Sequence, residues 1–317
     1  MTVDQVATGP AVREIVLDAG DGLGLSALLA EPHRTPRAVL VALHGGGMRA
    51  GYFHSRVHPG LSLLDLGTEL GFTVLAVDRP GYGHSAGALP QGQRLAEQAR
   101  TVRTALDRFA AHHPVGAGFL LVGHSYGGKL ALRLAADWTG PTSSGAELLG
   151  LDISGCGHRL GPDAVEHMAA LHRVEGPVEL RDLARMHWGP VLLYPPGTFV
   201  ASQSLTGPMP PREAEEVPYW PQRIAEVAAR VRVPVRFTFA EHEHWWRHDP
   251  EALDELAALL PNSPRVTFAH QPNAGHNISL GWAARPYHLR VLAFAEECVQ
   301  DREQAPAGTG TRNGHRP

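Results

Sequence analysis

Residues 119–136, FLLVGHSYGGKLALRLAA, carry the pattern that decides the fold. A short apolar run leads into Gly123–Gly127, which fits G-x-S-x-G, and a helical pattern follows at once. Glycines on both sides permit a strand-to-helix turn too tight for a Cβ atom, and this turn lifts the serine hydroxyl above the sheet. The pattern predicts that Ser125 is a nucleophile; the competing interpretation is a serine that only caps the helix.

A second glycine-rich segment, His44–Gly47, follows the apolar run AVLVAL. It resembles the oxyanion loop of esterases and lipases, in which backbone amides stabilise a developing alkoxide. We expect the amides of Gly46 and Tyr126 to converge on that charge, although an ordinary glycine-rich loop would have the same composition. The neighbouring residues His44, Gly47 and His124 are candidate substrate contacts.

The motif AGHN, residues 274–277, follows the last predicted strand, RVTFAH, and precedes a C-terminal helical pattern. Enzymes with a G-x-S-x-G turn commonly place their histidine late in the chain, after the nucleophile and the acid. The chain has 19 histidines, so a lone histidine carries little information. The Gly-His pair in this loop favours His276 as the general base, with His270 as its nearest rival.

Three carboxylates are candidates for the acid that would orient this histidine. Glu241 and Glu243 follow the predicted strand PVRFTFA, at a strand end where an acid is expected. Alignment of Ala240 with the small residue that commonly ends this strand favours Glu243, with Glu241 second. Asp152, at the end of LLGLD, is the third candidate, because some hydrolases supply the acid one strand earlier.

Short apolar, β-branched runs alternate with helical patterns along most of the chain. This alternation predicts an α/β fold whose mostly parallel sheet has roughly eight strands and helices on both faces. The segment REIVLDAGDGLGLSALLAEP predicts an antiparallel edge hairpin. The runs are Ala38–Leu43, Phe72–Val77, Phe119–Val122, Leu148–Ile153, Pro234–Phe239 and Arg265–Ala269, and the helical patterns are Leu61–Leu70, Gln93–His113 and Gly128–Asp137.

The alternation also divides the chain into regions. Residues 1–154 and 231–302 are predicted to form the catalytic core. Residues 155–230, an irregular stretch with His, Trp, Pro and Tyr, are predicted to form a cap over the site. Aromatic candidates for substrate contacts in or near the cap are Trp188, Tyr194, Trp220 and Trp245. Residues 303–317, polar and rich in Gly and Pro, are predicted to be a frayed tail.

Four motifs together resemble the α/β-hydrolase superfamily over residues 38–154 and 231–297: LHGGG, DRPGYGHS, GHSYGG and AGHN. The resemblance implies the α/β-hydrolase fold, a Ser-His-acid triad, acyl-enzyme chemistry without a cofactor and a cap that sets specificity. Two features depart from the common pattern: a Glu in place of the usual Asp, and the segment HEHWWRH. The expected reaction is cleavage of a carboxylic ester or thioester of a bulky, aromatic or polyketide-like small molecule.

Other functions are compatible with the sequence. The same scaffold could serve C–C cleavage, cyclisation or acyl transfer, because a fold alone does not fix the chemistry. His242, His244 and His248 lie within seven residues and could bind zinc in a metal-dependent hydrolase, although the HExxH spacing is absent. A non-catalytic binding protein is a further alternative, which the joint presence of Ser125 and His276 disfavours.

Composition limits the partners and the location. A formal net charge of −4, a pI near 6.5 and the lack of a Lys/Arg-rich run argue against nucleic acid as a partner. The two cysteines, Cys156 and Cys298, have no CxxC spacing and are expected to be buried thiols. The start lacks a signal-like pattern, and no apolar run reaches about 18 residues. We expect a cytoplasmic protein that binds a small molecule and no membrane, with homo-oligomerisation left open.

Overall fold

The computed structural model describes residues 11–173 and 180–304. The strands are β1 (Arg13–Asp18), β2 (Gly24–Ala30), β3 (Val39–Leu43), β4 (Thr73–Val77), β5 (Phe119–His124), β6 (Leu148–Ser154), β7 (Val235–His242) and β8 (Val266–Gly275). They form one sheet in the order β1-β2-β4-β3-β5-β6-β7-β8. Strand β2 pairs antiparallel with β1 and β4, and all other neighbours are parallel. The predicted edge hairpin is therefore β1 with β2.

Helices cover both faces of the sheet. They are α1 (Leu63–Glu69), α2 (Leu95–His112), α3 (Tyr126–Ala136), α4 (Pro162–Arg173), α5 (Leu180–Trp188), α6 (Thr198–Ser202), α7 (Pro211–Glu216), α8 (Trp220–Ala228), α9 (Pro250–Ala258) and α10 (Ala284–Gln304). Successive residues of a strand point to opposite faces. On β3, Val41 and Leu43 face a core shared with α2, α3 and α8, whereas Leu40 and Ala42 face a core shared with α1 and α10. The predicted fold class is confirmed.

The parallel strands bring the predicted motifs to one edge of the sheet. The carboxyl ends of parallel strands lie on the same side, and ligands bind there in open α/β sheets. His44 directly follows β3, Ser125 follows β5, Glu243 follows β7 and His276 follows β8. Motifs separated by more than two hundred residues in the sequence therefore lie at the same edge of the sheet.

The segment between β6 and β7 contains five of the helices, α4 to α8. Its last helix, α8, buries Ile224 and Val227 in the same core as α3, so this helix belongs to the layered body of the fold. We therefore propose that the cap, predicted to span residues 155–230, ends before Trp220. The predicted tail at 303–317 lies outside the described residues from position 305 onward.

Cys156 and Cys298 are both buried and free, and burial raises the pKa of each thiol to about 12. Among the helices of residues 11–173 and 180–304, none combines the length and the apolar character that a bilayer crossing requires.

The tight packing of the turn around Ser125 predicts that one added methyl group lowers the stability of the fold. A Cβ on Gly127 would lie 2.0 Å from the carbonyl oxygen of Leu43, so backbone would have to move. We expect Gly127→Ala to lower the free energy of unfolding by about 1–3 kcal/mol, as overpacking does elsewhere. The matched control is Gly140→Ala, whose Cβ meets no atom within 4 Å. Equal urea midpoints for Gly127→Ala and Gly140→Ala would contradict the close approach of Gly127 to the carbonyl oxygen of Leu43.

Candidate active site

Ser125 lies on a strained turn between β5 and α3. Its backbone has φ 52° and ψ −115°, a region that non-glycine residues rarely adopt. The Ser125 amide donates to the carbonyl of Ser154 at 2.8 Å, and the Ser125 carbonyl accepts from Gly128 at 2.9 Å. Such strain costs about 1–3 kcal/mol and concentrates at functional sites. The turn has the geometry that G-x-S-x-G predicts.

His276 and Glu243 form a buried hydrogen-bonded pair. Nδ1 of His276 lies 2.8 Å from Oε2 of Glu243 and 3.1 Å from Oε1. The Glu243 carboxylate also accepts the amide of Trp245 at 2.9 Å, which fixes its orientation. A carboxylate can only accept, so Nδ1 carries the proton and Nε2 is left as a basic nitrogen.

Ser125 and His276 both adjoin the short segment at the end of β6. The carbonyl of Ser154 accepts the Ser125 amide, and the next residue, Gly155, lies under the His276 imidazole. A Cβ on Gly155 would approach Cε1 of His276 to 2.7 Å, and the φ of this glycine is +58°. A glycine here lets the imidazole approach the backbone beside the serine turn.

The other candidates for acid and base have different partners. Oε2 of Glu241 accepts the amide of Asn273 at 2.7 Å on the surface. Asp152 is fully buried and pairs with Nη2 of Arg236 at 2.5 Å, and burial raises the pKa of its carboxyl group. His270 is exposed. Neither Glu241 nor Asp152 contacts His276 within the described ranges.

The glycine-rich loop after β3 lies against the serine turn. A Cβ on Gly45 would be 3.2 Å from Cβ of Ser125, so the loop backbone runs beside the nucleophile candidate. Gly46 and Tyr126 both line the cavity above Ser125. In residues 11–173 and 180–304, neither of their amides donates to another group. Both amides are therefore without a protein acceptor in the described ranges.

His44 and Gly47, predicted as substrate contacts, hold this loop in place instead. Burial lowers the pKa of His44 well below its usual value, so its imidazole is neutral. Its Nε2 can therefore accept the amide of Arg79 at 3.0 Å. The amide of Gly47 donates to the hydroxyl of Tyr82 at 3.0 Å. His124 is buried as well and stacks on Tyr52.

A buried ion pair holds the loop that follows β3. Arg79 and Glu213 have fully buried side chains and pair through two contacts, of 2.6 and 2.8 Å. The same guanidinium donates to the carbonyls of His44 at 2.8 Å and Gly45 at 3.1 Å. Arg79 stands in the quoted motif DRPGYGHS, whereas nothing in the sequence marked Glu213, which lies on α7 in the proposed cap.

A cavity of about 300 Å³ opens above Ser125. Its walls come from the loop after β3, from α3, from the proposed cap and from the loop after β7. Of the four aromatic residues predicted as substrate contacts, Trp245 lines the cavity, whereas Trp188, Tyr194 and Trp220 do not. The lining residues are Gly46, Ser125, Tyr126, Lys129, Leu160, His167, Met168, His187, Met209, Ala214, Val217, Pro218, Trp245 and Trp246.

The three aromatic residues outside the cavity have packing roles. Trp188 and Tyr194 contact each other and Phe199, and the Tyr194 hydroxyl donates to the carbonyl of Trp188. Trp220 is 2% exposed, and its Nε1 donates to the carbonyl of Gly157 at 2.9 Å. Aromatic content predicted a substrate surface, but it does not separate core packing from a cavity wall.

The histidines of HEHWWRH diverge. His244 pairs with Asp163 at 2.8 Å, and Nδ1 of His248 lies 3.1 Å from the carbonyl of Trp246. Across residues 11–173 and 180–304, no group of three or more His, Cys, Asp or Glu side chains is arranged to hold a metal ion. The segment contributes Glu243 to the imidazole pair and Trp245 to the cavity wall.

Comparison with known proteins identifies the family and the fold. A family model described as the alpha/beta hydrolase family matches residues 39–288. A thermostable carboxyl esterase from Bacillus coagulans superposes with a TM-score of 0.64 at 20% identity, over 91% of this chain and 99% of that one. Carboxylesterase CesB from Bacillus subtilis gives 0.61 at 18% identity, over 90% and 92%. At such identities the likeness of these structures shows the fold.

The buried pair predicts a large and specific loss of stability. Glu213→Gln would leave the Arg79 guanidinium buried without a counter-charge, which typically costs about 3–5 kcal/mol. The matched control on the same helix is Glu215→Gln, which removes an exposed ion pair with Arg94 and should change stability by less than about 1 kcal/mol. Urea unfolding of both variants measures the difference. Similar midpoints would contradict a structural role for the buried pair.

Proposed function

Because the chain belongs to the alpha/beta hydrolase family, we propose that it is a serine hydrolase that cleaves a carboxylic ester or thioester through an acyl-enzyme. The observation that carries the proposal is the buried His276–Glu243 pair beside the strained turn of Ser125. Nucleophile, base and orienting acid are the three groups that such chemistry requires.

In the proposed mechanism, Nε2 of His276 takes the proton from Ser125 as Oγ attacks the substrate carbonyl. The amides of Gly46 and Tyr126 donate to the oxyanion of the tetrahedral intermediate, where one such donor is typically worth about 3–4 kcal/mol. Protonated His276 then gives its proton to the leaving group. Water attacks the acyl-enzyme with His276 again as the base, and Glu243 stabilises the imidazolium without taking its proton.

The cavity supports a compact, largely apolar substrate. A volume of about 300 Å³ lies at the small end of ligand pockets. Trp245, Trp246 and Tyr126 in its wall support an aromatic or otherwise flat group on the substrate. A bulky polyketide-like substrate has less support, because Trp188, Tyr194 and Trp220 do not line the cavity.

The serine is tested by covalent labelling. We expect an uncharged fluorophosphonate to label the wild-type protein at one site and Ser125→Ala not at all, with loss of p-nitrophenyl butyrate hydrolysis in the same variant. Circular dichroism and thermal melting establish that the variant is folded. Stoichiometric labelling of Ser125→Ala would defeat the proposal and favour a different nucleophile or a binding function.

The acid is tested by isosteric substitution. Glu243→Gln should lower kcat by about 10²- to 10⁴-fold, because an amide no longer stabilises the imidazolium or selects its tautomer. Glu241→Gln is the matched control from the adjoining strand end, and Asp152→Asn tests the buried alternative. Turnover is measured per labelled site in each folded variant. Full activity of Glu243→Gln beside an inactive Asp152→Asn would transfer the role to Asp152.

Metal-dependent hydrolysis and acyl transfer make different predictions. Prolonged dialysis against EDTA should leave ester hydrolysis unchanged, and His244→Ala should retain it. Activity that disappears on dialysis and returns with Zn²⁺ would instead support the metal alternative.

The acyl acceptor is tested by isotope labelling. If water is the acceptor, hydrolysis in H₂¹⁸O places ¹⁸O in the released acid. If added alcohols or amines divert most of the product, acyl transfer is supported instead.

A further inference from the structure

The cavity beside Ser125 holds the only lysine of the chain. Lysine and arginine together number 28, and 27 of these residues are arginine. Lys129 is therefore the one position at which the chain has lysine rather than arginine. Lys129 is 6% exposed and lines the cavity with Ser125 and Trp246. A lysine buried to this degree is unusual unless it has a partner.

The ammonium of Lys129 has aromatic neighbours but no polar partner in the described ranges. Its Nζ lies 5.5 Å from the ring centroids of Tyr126 and Trp246 and 5.8 Å from that of Trp220. Such rings attract a cation through their faces. In residues 11–173 and 180–304, no hydrogen bond or ion pair satisfies its three N–H donors.

The carboxylates nearest to Lys129 are paired with other residues, so the charge of its ammonium is available to a ligand. The carboxylate of Glu213 is occupied by Arg79 and Tyr82, and Glu216 pairs with Arg223. Burial lowers the pKa of Lys129 to about 8, so most of the amine is protonated at neutral pH. An ammonium in a largely apolar cavity favours an anionic ligand, because the attraction is strong where water is excluded.

We propose that Lys129 binds a carboxylate carried by the substrate, so that the enzyme prefers esters of small molecules with one negative charge. The inference rests on the proposed serine hydrolase function and adds a substrate class to it. A single cation matches a single carboxylate, whereas a phosphate dianion is usually held by several donors.

The cavity that Lys129 shares with Ser125 limits the length of such a substrate. Ser125 directly precedes α3, Lys129 lies in the first turn of that helix, and both residues line the same cavity of about 300 Å³. A carboxylate a few carbons from the scissile carbonyl would reach the ammonium while the ester lies over Ser125.

Matched pairs of esters test the preference. Mono-p-nitrophenyl succinate and p-nitrophenyl butyrate differ by a carboxylate on the acyl side, and 4-carboxyphenyl butyrate and phenyl butyrate differ by one on the alcohol side. We expect the wild-type ratio of kcat/KM, charged over neutral, to exceed one for at least one pair and to fall at least tenfold in Lys129→Met, mainly through KM. Arg133→Met, which removes an outward charge from the same helix, should leave the ratio unchanged.

A binding experiment separates this inference from the proposed function. In Ser125→Ala protein labelled with ¹⁵N-lysine, the single lysine should give one side-chain ammonium signal. Monomethyl succinate should shift this signal, and methyl butyrate should not. A shift with both ligands or with neither, or an unchanged ester ratio in Lys129→Met, overturns the role of Lys129. Failure of the proposed function would be seen in a different experiment: the fluorophosphonate would not label Ser125 of the wild-type protein.

Discussion

The burial of Arg79 is the constraint on which the site depends. Desolvating a guanidinium costs several kcal/mol, and only a complete set of partners offsets that cost. The partners come from distant parts of the chain: carbonyls of the loop after β3, Gln98 on α2 and Glu213 on α7. The loop after β3, helix α2 and helix α7 of the proposed cap are therefore held by one charged group.

The same pair explains how a glycine-rich loop can be rigid. Three consecutive glycines have large conformational freedom, and the proposed oxyanion site would work only if its donors were fixed before the charge develops. Arg79 fixes two carbonyls of this loop, and neutral His44 accepts the Arg79 amide in return. The freedom that lets the backbone approach a substrate is removed by contacts on the opposite side of the loop.

Local patterns in the sequence were sufficient for the sheet and for the strand-end residues. Ser125, Glu243 and His276 each directly follow a strand, and a parallel sheet brings such positions to one edge whatever the intervening sequence. The segment between β6 and β7 was less predictable, because its contacts depend on tertiary packing that no short sequence pattern encodes. Trp220 illustrates this: its aromatic character predicted a substrate contact, whereas its indole packs in the core beside α3. Glu213 gave no local signal, since its partner is 134 residues away.

The arginine-only surface has a practical consequence for covalent modification. Amine-reactive dyes, cross-linkers and activated resins find a single side-chain amine, and that amine lies within the cavity beside Ser125. Its pKa of about 8 leaves far more of it in the reactive free-base form at mildly alkaline pH than an ordinary surface lysine. Acylation of this side chain would occupy the cavity itself. Conjugation chemistry that is harmless to most proteins would therefore be directed to the proposed active site of this one.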